Sequence, residues 1–206
     1  MKKHKIIIGL TILSSISLHA QTFITSNLDE PLFTNNRLSE DIWIANSFRT
    51  GSEDTMLNSI VTRISNFDGG DEFVEIYSNS ASNEPGIQYA TFLDNPEDLG
   101  SNNQFRFTPN GDVSLSANTT YWMVFGGGVY DVDFTLSPAQ TGNAEWDIGN
   151  SIETSGDGGS SWITQDTSAI LFGVEVIPEP SEYAFAIGIC LIAFATFRRI
   201  RISQTS

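Results

Sequence analysis

Four tryptophans, two turns rich in aspartate and glycine, and two close carboxylate pairs carry whatever chemistry lies between Gln21 and Ile177. Trp43, Trp122, Trp146 and Trp162, with Tyr89 and Tyr130, have the flat apolar faces on which sugar rings stack. Trp122 sits inside a dense apolar run and reads as core. Trp146 and Trp162 lie in polar, glycine-rich surroundings and are the candidates for an exposed platform. The turns Asp68-Gly69-Gly70-Asp71-Glu72 and Asp157-Gly158-Gly159 offer hard oxygens on loops, as calcium requires. Asp68, Asp71 and Asp157 are the candidate ligands. Neither turn has the twelve-residue calcium-loop spacing, and Asp and Gly are also the ordinary residues of turns. Asp131 with Asp133, and Glu145 with Asp147, stand two residues apart, which puts each pair on one side of a strand. Such a pair serves glycoside hydrolysis only where an apolar pocket keeps one member protonated.

The residue types that are missing exclude more. His4 and His19 precede Gln21, as do all three lysines, Lys2, Lys3 and Lys5. The single cysteine, Cys190, lies in the apolar run near the C-terminus and reads as a span-filling residue. Residues 21–177 therefore contain no His, Cys or Lys. That removes the Ser-His-Asp and Cys-His sites, zinc sites of His/Cys type, the Schiff-base lysine, the P-loop lysine and any disulfide. The same segment carries 23 acids against Arg37, Arg49, Arg63 and Arg106, a net charge of −19. A surface so anionic repels nucleic acid and anionic membranes; it favours solubility outside the cell.

These residues are carried between two hydrophobic ends. Met1-Lys2-Lys3-His4-Lys5, an apolar stretch from Ile6 to Leu18 and the small Ala20 before Gln21 form the three parts of a secretory signal peptide, residues 1–20. Near the other end, Tyr183 to Phe197 is apolar, followed by Arg198, Arg199 and Arg201. Fifteen helical residues reach about 22 Å of a hydrocarbon layer about 30 Å thick, and snorkelling arginines nearly close the gap. Basic flanks stay cytoplasmic, so both ends send residues 21–177 outside. Pro178-Glu179-Pro180 precedes the span; its prolines keep the segment extended and accessible.

Pro178-Glu179-Pro180, the short span and the arginine cluster, together residues 178–201, resemble the PEP-CTERM sorting signal of Gram-negative envelope proteins. The resemblance implies that an exosortase-type transpeptidase recognises Pro178, Glu179 and Pro180 and processes the tail, after export machinery has delivered the chain to the inner membrane.

The body reads as strands. Short apolar runs are bounded by Gly, Asn, Asp and Pro, with strands predicted at 42–49, 57–65, 72–78, 88–93, 104–108, 113–117, 120–126, 146–148 and 169–177. Val74 and Ile76 face one way, and Phe73, Glu75 and Tyr77 the other; Ile170, Phe172, Val174 and Val176 share a face. Residues 21–41 read as a polar lead-in. Pro109-Asn110-Gly111-Asp112 reads as a hairpin linker, and Asn118, in the sequon-like Asn118-Thr119-Thr120, as a left-handed turn. The fold class is all-β, a jelly-roll-like sandwich. Ser47-Phe48-Arg49-Thr50-Gly51-Ser52, Ile76-Tyr77-Ser78 and Ala117-Asn118-Thr119-Thr120-Tyr121-Trp122 resemble the choice-of-anchor R domain over about residues 43–176. That resemblance implies an architecture and a surface location, and it supplies no established activity to carry over.

The function expected is that of a non-enzymatic, exported protein of the cell surface or extracellular matrix. The alternatives are a calcium-assisted carbohydrate-binding module, whose partner is extracellular polysaccharide, and a carboxylate glycosidase.

Overall fold

The computed structural model describes residues 23–67, 71–92, 96–136, 140–166 and 168–177. The signal-like stretch with Ala20 and Gln21, Asp68, and the tail from Pro178 through Arg201 lie outside these residues. Among the described residues there are sixteen strands and no helix. They are β1 Phe23–Ser26, β2 Thr34–Arg37, β3 Trp43–Arg49, β4 Thr55–Ser65, β5 Phe73–Asn79, β6 Pro85–Thr91, β7 Glu97–Asp98 and β8 Gln104–Phe107. Then follow β9 Ser114–Leu115, β10 Thr120–Gly126, β11 Asp131–Thr135, β12 Thr141–Gly142, β13 Asp147–Ser155, β14 Ile163–Asp166, β15 Ala169–Ile170 and β16 Phe172–Ile177.

Two antiparallel sheets result. A six-stranded sheet has the order β14-β13-β3-β10-β5-β6. A ten-stranded sheet has the path β12-β1-β16-β4-β11-β15, with β8 and β9 also on β4, β7 on β8 and β2 on β11. One core joins them: Ile44, Phe48, Ile76, Met123 and Phe125 from the first sheet meet Ile60, Ile64, Phe107, Phe134 and Phe172 from the second. Phe48 is the hinge point of this packing. Its ring lies 5.8 Å from Tyr121, 6.4 Å from Trp146 and 6.3 Å from Phe172, which belongs to the opposing sheet.

Alternation along β5 comes out as the sequence reads: Val74 and Ile76 are buried inward, while Phe73, Glu75 and Tyr77 are half-buried on the outer side. Ile170, Phe172 and Val174 likewise enter the core. Asn118 takes φ 51°. Three expectations are corrected. Residues 21–41 are not merely a lead-in, because β1 and β2 lie there and β1 pairs with β16. Its neighbour Asn27 is buried because its amide donates to Ile170 O at 2.8 Å and accepts from Phe172 N at 2.7 Å. Residues 109–112 do not make a hairpin: β8 and β9 each pair with β4, one after the other, and not with one another. The segment predicted at 146–148 is a strand only from Asp147 and runs on to Ser155.

The outer side of the ten-stranded sheet is buried too. Glu175 is 2 % exposed, takes a bond from Ser59 and is paired with Arg106, whose Nε lies 3.1 Å away; the exposed Glu97 lies 2.7 Å from the same guanidinium. Those two carboxylates hold the Arg106 proton more firmly than usual, against the opposite pull of burial. Paired in this way, a charge on a sheet face tolerates desolvation.

Pairing also fixes the poles. Phe23 lies opposite Glu175, and Ile177 opposite Met56, so both ends of the described chain leave the sandwich at one pole. Residues 50–54 join β3 to β4, which puts Arg49 at that pole, together with its partners Thr120 and Asp147. Trp43, Phe73, Gly126 and Ser155, at the other ends of the same strands, therefore lie at the far pole.

Asn46 ties the two sheets together from inside: its amide donates to Gly149 O at 2.8 Å and its oxygen accepts from Ile170 N at 2.7 Å. Asn46→Ala leaves both backbone groups without partners, each costing about 1–3 kcal/mol when buried. The expected result in urea unfolding is a loss of about 3 kcal/mol; a loss below about 0.5 kcal/mol refutes this role.

Candidate functional site

The outer side of the six-stranded sheet is aromatic where an outer sheet face is ordinarily polar. Ala45, Trp122 and Val124 form its floor, and Trp43, Phe73, Tyr77 and Trp162 pack around them with part of each ring exposed. Period-two strands make this arrangement: Trp43 and Ala45 point outward from β3, Trp122 and Val124 from β10, and Phe73, Glu75 and Tyr77 from β5.

Two glycines shape it. Trp43 and Phe73 meet edge to face at 4.8 Å across Gly126 of β10, where a Cβ would fall 2.6 Å from one ring and 2.7 Å from the other. Only glycine lets the two rings close over that strand. Gly159, at φ 81°, lies against the six-membered ring of Trp43, with room for no side chain. The loop between β13 and β14 thus lies along one side of Trp43. The indole N–H of Trp43 donates to Glu40 O at 3.1 Å, and that of Trp122 donates to Asn79 Oδ1 at 2.7 Å, so both rings are fixed in orientation.

Carboxylates border the aromatic rings. Glu75 accepts from Gln88 Nε2 at 2.5 Å and from the Tyr77 hydroxyl, while burial raises its pKa above the ordinary value. Burial and the neighbouring Glu75 push the Tyr77 phenol up to about 12, so it stays a donor. Glu153, buried on the same face, accepts from Thr164 Oγ1 at 2.8 Å. Beyond Phe73 and Glu75 opens a cleft of about 280 Å³. Val74, Phe92 and Phe107 form its apolar floor with Phe67, and Glu72, Glu75, Thr91 and Asn110 stand around its rim.

The other residues singled out by sequence fare differently. Trp146 is corrected: it is 4 % exposed, inside the main core and stacked parallel to Phe48, so it offers no platform. Trp122 is buried as read, but under the outer aromatic layer and not between the sheets. Trp162 lies in that layer, beside Trp43. Tyr130 is buried and donates to Phe73 O; Tyr89 is exposed and donates to Ser114 O. Asp71 is exposed, and its carbonyl approaches Gly127. Asp157 braces its own loop, accepting from Ser161 N at 2.9 Å, Ser161 Oγ at 2.7 Å and Ser155 Oγ at 2.8 Å. Among the described residues no three His, Cys, Asp or Glu side chains come together as a metal group.

Of the carboxylate pairs, Asp131 and Asp133 share the outer side of β11. Asn66 donates to Asp131 at 2.5 Å, and Arg63 lies 3.2 Å from Asp133. Burial raises the Asp133 pKa, partly offset by Arg63. Glu145 is exposed and accepts from Ser52, which lowers its pKa; Asp147 accepts from Gln140. The residue that sequence reasoning missed is Gly126, along with the close approach of Trp43 and Phe73 that it allows. The visible signal was the outward alternation of Phe73, Glu75 and Tyr77. The chain matches no protein-family model and no curated protein.

The bonds from Ser161 and Ser155 hold the Asp157 carboxyl down to about 2, below its ordinary 3.8. A lowered carboxyl favours the fold above its unfolded pKa, and the contribution is lost as pH falls through the folded value. Acid titration followed by tryptophan fluorescence is therefore expected to release the loop from Trp43 between about pH 4 and pH 2. Asp157→Asn is expected to show the released spectrum already at pH 7; an unchanged spectrum in that variant contradicts the brace.

Proposed function

We propose that the chain is a non-enzymatic, exported cell-surface or matrix protein whose jelly-roll-like sandwich binds extracellular polysaccharide on the outer aromatic face. One observation carries the binding reading: Trp43, Phe73, Tyr77 and Trp162 form a part-exposed aromatic layer, with the Trp43 indole held by Glu40 O and with Glu75 and Gln88 beside it. Flat rings with a few fixed polar groups beside them suit the alternating apolar and hydroxyl faces of a sugar. A layer with no sugar to bind would be an apolar surface left at the solvent boundary.

Delivery rests on the sequence. The signal peptide of residues 1–20, cleaved between Ala20 and Gln21, exports the body. The tail of residues 178–201, with its Pro178-Glu179-Pro180 motif, the apolar run of residues 183–197 and Arg198, Arg199 and Arg201, sorts it through an exosortase-type enzyme. The pole geometry supports this reading. Ile177 leaves the body at the pole opposite the Trp43–Phe73 contact, so a tail held in a membrane keeps that end of the aromatic face turned away from it. The resemblance to choice-of-anchor R modules agrees with a surface location.

A glycan array probed with the full chain, with and without a calcium chelator, tests the binding. Binding to at least one glycan family is expected, weakened about tenfold by Trp43→Ala, the equivalent of about 1.4 kcal/mol. Binding abolished by chelator assigns calcium a part; no glycan bound in either condition removes the carbohydrate reading. Sorting is tested separately by mass spectrometry of the mature C-terminus in the host, where loss of the arginine cluster is expected. A surface form still ending beyond Arg201 contradicts processing.

A further inference from the structure

We infer that the polysaccharide is a hexosamine polymer bearing free, protonated amino groups, with its rings on the Trp43–Phe73 row and an ammonium at Glu75 beside the cleft. This deepens the carbohydrate reading and rests on it.

Charge selects the ligand. Glu75 and Glu153 stand on the strands beside the rings and Glu72 on the cleft rim, while Asp147 lies at the other pole opposite Arg49. The single arginine of the six-stranded sheet is Arg49, six residues along β3 from Trp43 and so about 20 Å away, at the other pole. A polymer of uronic or sulfated sugars meets only like charge here, in a body of net charge −19. A neutral polymer gains hydrogen bonds from its hydroxyls to the carboxylates but no charge attraction. A polymer carrying ammonium groups gains from them and also from the ring faces of Trp43 and Phe73, which attract cations.

Glu75 is built for this. Gln88 and Tyr77 fix its carboxylate in place, so little side-chain entropy is lost when a cation arrives. It is half-buried, and an incoming ammonium offsets the desolvation that burial imposes on its charge. Phe73 belongs to the aromatic cluster and, with Glu75, also lines the cleft, so the cleft adjoins the aromatic face. At about 280 Å³ the cleft is at the small end for a ligand site, suited to one sugar ring or side group rather than a whole chain.

The test uses the full chain in detergent and calorimetric titration with three oligomers of equal length: glucosamine, N-acetylglucosamine and glucose. Glucosamine oligomer is expected to bind at least about tenfold tighter than the other two, with the preference shrinking as salt rises from about 0.05 to 0.5 M. Glu75→Gln keeps the hydrogen-bonding shape and is expected to cut the preference to about twofold, whereas the surface control Asp29→Asn retains it. Trp43→Ala is expected to weaken the glucosamine oligomer about tenfold. Lowering pH toward Glu75's titration range is expected to erode the preference in the parent protein and not in Glu75→Gln. Equal binding of all three oligomers overturns the amine assignment and leaves the carbohydrate reading standing. No binding of any oligomer overturns both. Polylysine binding as tightly as the glucosamine oligomer, with Trp43→Ala without effect on either, overturns the assignment as bulk charge attraction.

Discussion

The last strand cannot continue straight past Leu171, and the architecture depends on how that break is held. Before it, β15 pairs with β11; after it, β16 runs between β1 and β4. Backbone groups freed at such a break must find partners when buried. Here the partners come from four directions: Asn46 takes Ile170 N, Asp133 O takes Leu171 N, Asn27 takes Phe172 N, and Arg63 N with the Thr62 hydroxyl serves Leu171 O. Asn46 belongs to the opposing sheet, so the same bonds that stabilise the bend also fix how the sheets face one another. With no disulfide available to the body, directional bonds of this kind do the aligning and the apolar core supplies the driving force.

From that bend follow the positions of the termini and of the aromatic face. β16 is a central strand of its sheet, so the chain leaves from the middle of a sheet where it is paired on both sides. The last described strand is thereby among the best-secured in the body. The opposite pole is left to loops and rings: the β13–β14 loop, Gly126 and the contact of Trp43 with Phe73. The two outer faces then diverge in chemistry. One is sealed by ion pairs, Arg106 with Glu175 and Arg63 with Asp133, and the other by aromatic rings with carboxylates at their edges. Glu175 and Glu97 occupy the Arg106 guanidinium, whereas an aromatic face keeps a surface to offer, so the proposed binding is placed on the second.

How much of this was legible varies element by element. The strands of the two sheets' interiors were readable because alternation in β5 and in the segment 169–177 reflects one dry and one wet or polar side. β1 was not, because Thr25, Ser26 and Asn27 are polar and buried through bonds to distant backbone, which local composition does not encode. β11 is missing from the predicted strands although Asp131 and Asp133 read as a pair on one side of a strand, because only Asn66 and Arg63, distant in sequence from β11, make two such charges compatible with burial. Trp146 misled because its neighbours are polar and its stacking partner, Phe48, is about a hundred residues away.

The sequence by itself determined the classes: an all-β body with no His, Cys or Lys, a strong negative charge, and hydrophobic ends with cationic flanks. These follow from residue type and period, which are local properties. Tertiary structure alone decided which tryptophans face solvent, which carboxylates are braced and which stand beside a ring, and that both ends of the described chain share a pole. Those outcomes depend on the register of strands far apart in the chain, and a one-residue slip of β3 would turn Trp43, or of β5 Phe73 and Glu75, to the other face of the sheet.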